Sequence, residues 1–214
     1  MGPATGARAR RKQETKDALE AAALALFSER GFEQVTVEDI AAAADVSART
    51  FFRHFGSKDD VLFADNADRL RHLEEELAAR PPEESALTAV RQAVLAVAHQ
   101  YAHDDARLLL RSRLLRETPS LRGRALDLQA EWEHVIARAV AARLGVDDDD
   151  LRPRLLGACA VAGLRVVLET WLDQGGKADL PTLVAAAMRL VAGAADPTRW
   201  ASGEGLRPAT PALP

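Results

Sequence analysis

Apolar residues recur at three- and four-residue spacing along most of the chain, the period of helices that bury one face. Ala18, Ala22 and Leu26, flanked by Leu19, Ala23 and Phe27, form the stripe of a first helix over about Lys12–Arg30, which Gly31 ends as a left-handed cap. Thr36 and Asp39 have the spacing of a capping box and open a short helix, Val37–Ala44. Asp45-Val46-Ser47 reads as a tight turn, with Ser47 capping a further short helix, Ala48–Phe55. Gly56 breaks that helix, and Ser57 caps a long one from Lys58 to Ala79, with Val61, Ala64, Leu70, Leu73 and Leu77 as its period. Pro81-Pro82 ends it.

The pattern continues through Glu84–His103, Ala106–Glu117, Pro119–Leu144, Leu151–Leu172 and Pro181–Ala195. An all-α chain of about nine helices follows, with no trustworthy strand pattern. Met1–Ala9 has no apolar period and is expected to lack regular structure, as is the Pro- and Gly-rich stretch from Asp196. Four regions result: a basic arm (1–11), a small three-helix domain (12–57), a larger helical domain (58–196) and a tail (197–214).

Composition supports the helical reading. Of 214 residues 43 are alanine, a strong helix former, and only 5% are aromatic. The formal net charge of −4 excludes a polycation that coats nucleic acid, so any such contact must come from a local basic patch. Residues 1–58 carry 9 basic and 8 acidic side chains (net +1), and the remainder 19 and 24 (net −5), with the positive charge gathered at Arg8–Lys16 and Arg49–Lys58. The lone Cys159 excludes an internal disulfide and fits a reducing cytoplasm; in so apolar a helix it is expected to be buried. No signal peptide is apparent, and no run reaches the ~18 apolar residues of a membrane span, so no membrane partner is expected. His99 and His103 have metal-ligand spacing but no third ligand, and no metal site is expected. Neither a nucleophile–base pair nor a phosphate-binding glycine loop is present, so no catalytic residue is assigned and an enzyme is not expected.

Two short helices joined by a tight turn are the ingredients of a helix-turn-helix. Ile40, Ala41, Val46, Phe51 and Phe55 fall on its inner side, leaving Ala48, Arg49, Thr50, Phe52, Arg53 and His54 on or near the outer face. Arg49 suits guanine O6 and N7, because its planar fork matches that pair of acceptors, and Thr50 suits a thymine methyl or a phosphate. Arg10 and Arg11 of the arm are expected to reach phosphates or an adjacent minor groove.

Lys16 to Leu62 resembles the DNA-binding domain of the TetR/AcrR family of bacterial regulators. The resemblance is carried by Ala22–Phe27, Gly31-Phe32, Val35-Thr36-Val37, Ile40-Ala41, Val46-Ser47, Thr50-Phe51-Phe52, His54-Phe55, Ser57-Lys58 and Val61-Leu62. It implies a cytoplasmic homodimer that binds a double-stranded palindromic operator, with the helix 48–55 as reader. Thr36, Ser47, His54 and Lys58 would contact phosphate. Phe52 stands where the family commonly has tyrosine and cannot donate a hydrogen bond. The Phe51-Phe52-Arg53 variant beside Asp59–Phe63 resembles actinobacterial members linked to mycofactocin and fatty-acyl ligands.

The resemblance further implies a repressor whose operator is released when a small apolar or amphipathic effector, such as an acyl-CoA or fatty acid, binds between the helix from Lys58 and the helix ending near Leu144. Leu70, Val94, Val97, Tyr101, Leu109, Arg111, Leu128 and Trp132 are the expected pocket residues, Trp132 being equally a core residue. No resident cofactor is expected. A regulator or architectural DNA-binding protein with no effector is the alternative. The last two helices are richer in apolar and small residues than one helix pair can hide. Leu155, Leu156, Cys159, Gly163, Val166, Val167, Leu183, Ala187, Met188 and Val191 are therefore assigned to a two-fold interface.

Overall fold

The computed structural model describes residues 3–101 and 105–194. Its regular elements are α1 (Pro3–Arg30), α2 (Val37–Ala43), α3 (Ala48–His54), α4 (Lys58–Leu62), α5 (Asn66–Ala79), α6 (Ala86–Tyr101), α7 (Asp105–Glu117), a 3-10 turn (Pro119–Leu121), α8 (Arg122–Leu144), α9 (Leu151–Asp173) and α10 (Leu180–Ala194). No strand occurs among the described residues. His103 and the expected tail lie outside them.

Two boundaries depart from the sequence reading. Helix α1 begins at Pro3, well before Lys12, so the segment expected to lack regular structure is helical from there. Proline is pre-set for a first helical turn. The Ala- and Arg-rich residues that follow are good helix formers. An Arg10–Glu14 ion pair at 3.4 Å and a Gln13–Asp17 hydrogen bond at 2.7 Å join successive turns. The long helix expected over Lys58–Ala79 is two helices, broken at residues 63–65. There Phe63 turns into the core, and the Ala64 and Asn66 amides fold back to the carbonyls of Val61 and Phe63.

The chain divides into two compact units, Met1–Arg69 with Asp104–Leu128 and Leu70–His103 with Gln129–Pro214. The first is built on one apolar cluster. Leu19, Ala23 and Phe27 of α1 pack with Phe32, Val35, Ile40, Phe51, Phe55, Val61 and Leu62, and with Leu114, Leu121 and Leu128. Phe27 meets Phe32 at 5.0 Å between ring centroids, and Phe51 meets Phe55 at 5.5 Å. Burying each of these side chains contributes roughly 1.5–3 kcal/mol.

In the second unit α10 packs on α9 and α6. The backbones of α8 and α9 come so close that a Cβ on Gly157 would lie 2.5 Å from the Glu133 carbonyl oxygen. Buried Trp171 donates its indole N–H to the Ala178 carbonyl at 3.0 Å. Arg143 donates to the carbonyls of Leu77, Arg80 and Pro81, closing the C-terminal end of α5. By length and composition α9 could cross a membrane, contrary to the expectation that no run is long and apolar enough. Its inner face, including Gly157, Val161, Val167 and Trp171, is packed in the unit's core.

The outer face of α9 is an apolar stripe. Leu151, Leu155, Cys159, Ala162 and Val166 recur at helical spacing, and all are exposed. Cys159 is thus outside the core, contrary to expectation, because the helix turns Gly157, Ala160 and Val161 inward instead. Val167 and Met188 go the other way: both are buried within the unit and leave no surface for an interface. Leu156, Gly163, Leu183, Ala187 and Val191 are half-buried. Leu190, not among the expected residues, is 76% exposed.

Candidate DNA-binding site

The helix-turn-helix is held by local hydrogen bonds. The Asp39 amide donates to the Thr36 hydroxyl oxygen at 3.1 Å, and the Thr36 amide returns a bond to the Asp39 carboxylate at 2.9 Å. This is the expected capping box. The Thr36 hydroxyl also donates to Asp39, and together these bonds hold the Asp39 carboxyl below its ordinary range. The turn needs a positive φ, which Asp45 adopts at 54°. The Val46 amide then reaches the Ala41 carbonyl at 2.9 Å. Ser47 caps α3, its hydroxyl oxygen accepting from the Thr50 amide at 3.2 Å.

Phe51 is fully buried and anchors α3. One helical turn of residues is thereby forced outward: Arg49, Phe52 and Arg53 are exposed, and Ala48, Thr50 and His54 are half-buried. Phe52 is 55% exposed and stands edge-on to Phe51 at 5.5 Å. Two arginines therefore flank an exposed ring on a short helix whose inner face is locked. Such a face can present guanidinium donors to base edges or phosphates.

The other expected residues are placed less simply. Arg10 and Arg11 are exposed on α1. The Lys58 ammonium donates to the carbonyls of Phe32 at 2.9 Å and Val35 at 3.0 Å and lies 4.4 Å from the Phe32 ring centroid. Two of its three donors therefore serve the protein itself. The Ser47 and Thr50 hydroxyls are 3.1 Å apart. His54 has its Nε2 buried with no hydrogen-bond partner among the described residues. Burial, with the charges of Arg53, Lys12 and Lys16, pushes its pKa below the ordinary histidine value, so at neutral pH it is uncharged.

Those two lysines of α1 bring positive charge to the C-terminal end of α3. Their shared helix face, four residues apart, is the signal that marks them in the sequence. An unanticipated group is Glu20, the acid that interrupts the first apolar stripe. It is buried against Lys16 and Arg107, and burial outweighs both cations to raise its pKa.

The expected pocket residues fall in both units. Leu109, Arg111 and Leu128 belong to the first, and Leu70, Val94, Val97, Tyr101 and Trp132 to the second. Leu128, Val94 and Val97 are buried, and Leu70, Leu109 and Trp132 half-buried. Arg111 is ion-paired with Asp65 at 3.0 Å.

Two profiles match the chain: the tetR family of bacterial regulatory proteins over residues 19–64, and the MftR C-terminal domain over residues 84–196. The transcriptional regulator TcmR of Streptomyces glaucescens is 39% identical over 173 residues, covering 78% of this chain and 76% of its own. The putative mycofactocin biosynthesis regulator MftR of Mycobacterium tuberculosis is 31% identical over 163 residues, covering 76% and 82%. The same fold occurs in the Thermus thermophilus repressor FadR, solved with lauroyl-CoA, at 23% identity and a TM-score of 0.59 over 93% of this chain and 98% of that one. Both the helix-turn-helix and the C-terminal helices are thus accounted for by one family, and the chain belongs to the TetR family of bacterial transcriptional regulators, in its MftR-like subgroup.

Proposed function

We propose that the chain is a homodimeric repressor that binds a palindromic operator through α3 and is released by a small apolar or amphipathic effector. The observation that carries this reading is the outward face of α3, where Arg49 and Arg53 flank exposed Phe52 on a helix anchored by Phe51. Arg49 and Thr50 read base edges, Ala48 permits close approach, and Phe52 packs against the sugar-phosphate backbone. Thr36, Ser47, Arg53 and Lys58 set register on phosphates, with Arg10 and Arg11 adding contacts from α1. His54, neutral at pH 7, contributes a neutral contact there. Residues 12–57 form the DNA-binding part, and residues 58–196 the effector-binding and dimerisation part.

The exposed stripe of Leu151, Leu155, Cys159 and Val166 supports dimerisation, since a two-fold partner would take it from water. For the effector, acyl-CoA is the class favoured by the likeness to FadR, with Leu70, Val94, Val97 and Trp132 of the second unit as apolar residues for it to meet.

The test is selection of a binding sequence from random duplex DNA, followed by titration of the complex with lauroyl-CoA and with lauric acid. A palindromic consensus and release by either compound support the full reading. A consensus with no release by either favours a regulator without an acyl effector, and no consensus overturns the operator reading.

A further inference from the structure

Two carboxylates of the first unit are held out of solvent, and both are met by arginines of α7. The Glu20 side chain on α1, 11% exposed, lies 3.0 Å from Arg107 and 3.6 Å from Lys16. Asp65, in the break between α4 and α5 and 16% exposed, lies 3.0 Å from Arg111 and is also paired with Arg69. Burial pushes the Asp65 carboxyl up, but Arg111, Arg69 and Arg107 outweigh it and hold it ionised below the ordinary range. Lys16 also donates to the Ala64 carbonyl at 3.4 Å, so the Glu20 and Asp65 ends of the network are joined.

Arg107 and Arg111 are four residues apart and share one face of α7. Through them α7 grips α1 and the α4–α5 break at once. Those same elements frame the helix-turn-helix: α1 packs on α2 and α4, and α2 on α3. Exposed ion pairs hold geometry weakly, but in a half-buried network the loss of one member strands its partner, so a single arrangement is favoured.

We propose that this clasp is a positioning device for operator binding, in which Arg107 and Arg111 hold Glu20 and Asp65 and so fix α1 and the α4–α5 break where α3 can enter the major groove. The inference rests on the operator-binding reading above. Arg111 is then a positioning residue of the DNA-binding unit, in place of the pocket role expected of it.

The experiment uses the full chain and a duplex enriched from random DNA by the unaltered protein. Asp65→Asn, Arg111→Gln and their combination are compared with Arg138→Gln, which removes the exposed Glu74–Arg138 pair of the second unit. Affinity, its salt slope and the unfolding midpoint are measured well below that midpoint. Loss of the clasp lowers the fraction of molecules competent to bind, so each single variant binds about tenfold more weakly with an unchanged salt slope. The double variant is no weaker than the worse single one, Arg111→Lys recovers most of the loss, and Arg138→Gln stays within about twofold of the unaltered protein. Should Asp65→Asn fail to fold, Arg107→Gln and Arg111→Gln carry the same comparison, with Arg111→Lys as the conservative variant that keeps the charge. A merely structural clasp would lower the unfolding midpoint and leave the affinity of the folded variants within about twofold, and that result overturns the proposal. If the unaltered protein enriches no sequence, the operator reading fails and the clasp with it. Enrichment with unaffected variants overturns the clasp alone.

Discussion

Lys58 donates its ammonium to the Phe32 carbonyl at 2.9 Å and lies over the ring of the same residue, 4.4 Å from its centroid. A second bond to the Val35 carbonyl makes this lysine the clamp on the loop between α1 and α2. Hydrogen bonds from charged groups contribute about 1.5–3 kcal/mol each, so Lys58→Met, which loses two, is expected to destabilise the protein by roughly 3–6 kcal/mol. Urea denaturation measures it. A loss of DNA affinity with unchanged stability would return Lys58 to a purely phosphate-binding role.

Arg49→Ala is expected to relax sequence preference at one base-pair position and cost about 1–3 kcal/mol on the preferred site. Selection from random DNA, run in parallel on variant and parent, reads the change. An identical consensus from both would move base recognition elsewhere on α3.

The depressed pKa of His54 links stability to pH. The folded state holds the ring neutral, while the unfolded chain takes up a proton as pH falls through about 6.5. The unfolded state therefore binds more protons just below that pH, and stability falls as pH is lowered from 6.5 toward the folded-state value. Denaturation between about pH 5 and 7 is expected to show a smaller slope in His54→Gln than in the parent, the carboxylates being common to both. Equal slopes would mean that His54 titrates normally in the folded protein.

Gly157→Ala forces a Cβ to within 2.5 Å of the Glu133 carbonyl oxygen, an atom of the backbone that cannot swing aside. Helices α8 and α9 must separate, at an expected cost of about 1–3 kcal/mol. Thermal unfolding checks this, and a midpoint unchanged from the parent would contradict the close approach.

Leu155→Glu combined with Val166→Glu places two charges on the exposed face of α9. Burying either in an interface is costly, so a dimer is expected to dissociate while the monomer keeps its helix content. Sedimentation and circular dichroism separate the two effects. A dimer that survives both substitutions uses another face.

Much of the DNA-binding face is legible in the residues alone. Phe51 and Phe55 point inward and Arg49, Phe52 and Arg53 outward because a short capped helix with one buried anchor has its rotation set by its own period. The roles expected of Lys58 and His54 were harder to read, since they turn on neighbours distant in sequence. Lys58 is held by carbonyls 26 and 23 residues away, and His54 is depressed by its burial, with Arg53 and two lysines of α1 adding to it.

By itself, the sequence determined the all-α architecture, the caps at Thr36, Ser47 and Ser57, the left-handed Gly31 and the inner and outer faces of α3. These are matters of three- and four-residue spacing, and a hydrogen bond or rotamer within one turn depends on little else. Tertiary structure decided which partner each long side chain takes. Arg107 reaches Glu20 across 87 residues and Arg111 reaches Asp65 across 46, binding α7 into the unit that carries the helix-turn-helix. It also decided that the helix from Lys58 breaks where Phe63 turns into the core, and that α9 turns Cys159 outward and Val167 inward. An apolar helix with no clear polar face has no rotation set by its own residues, and only its packing neighbours choose one.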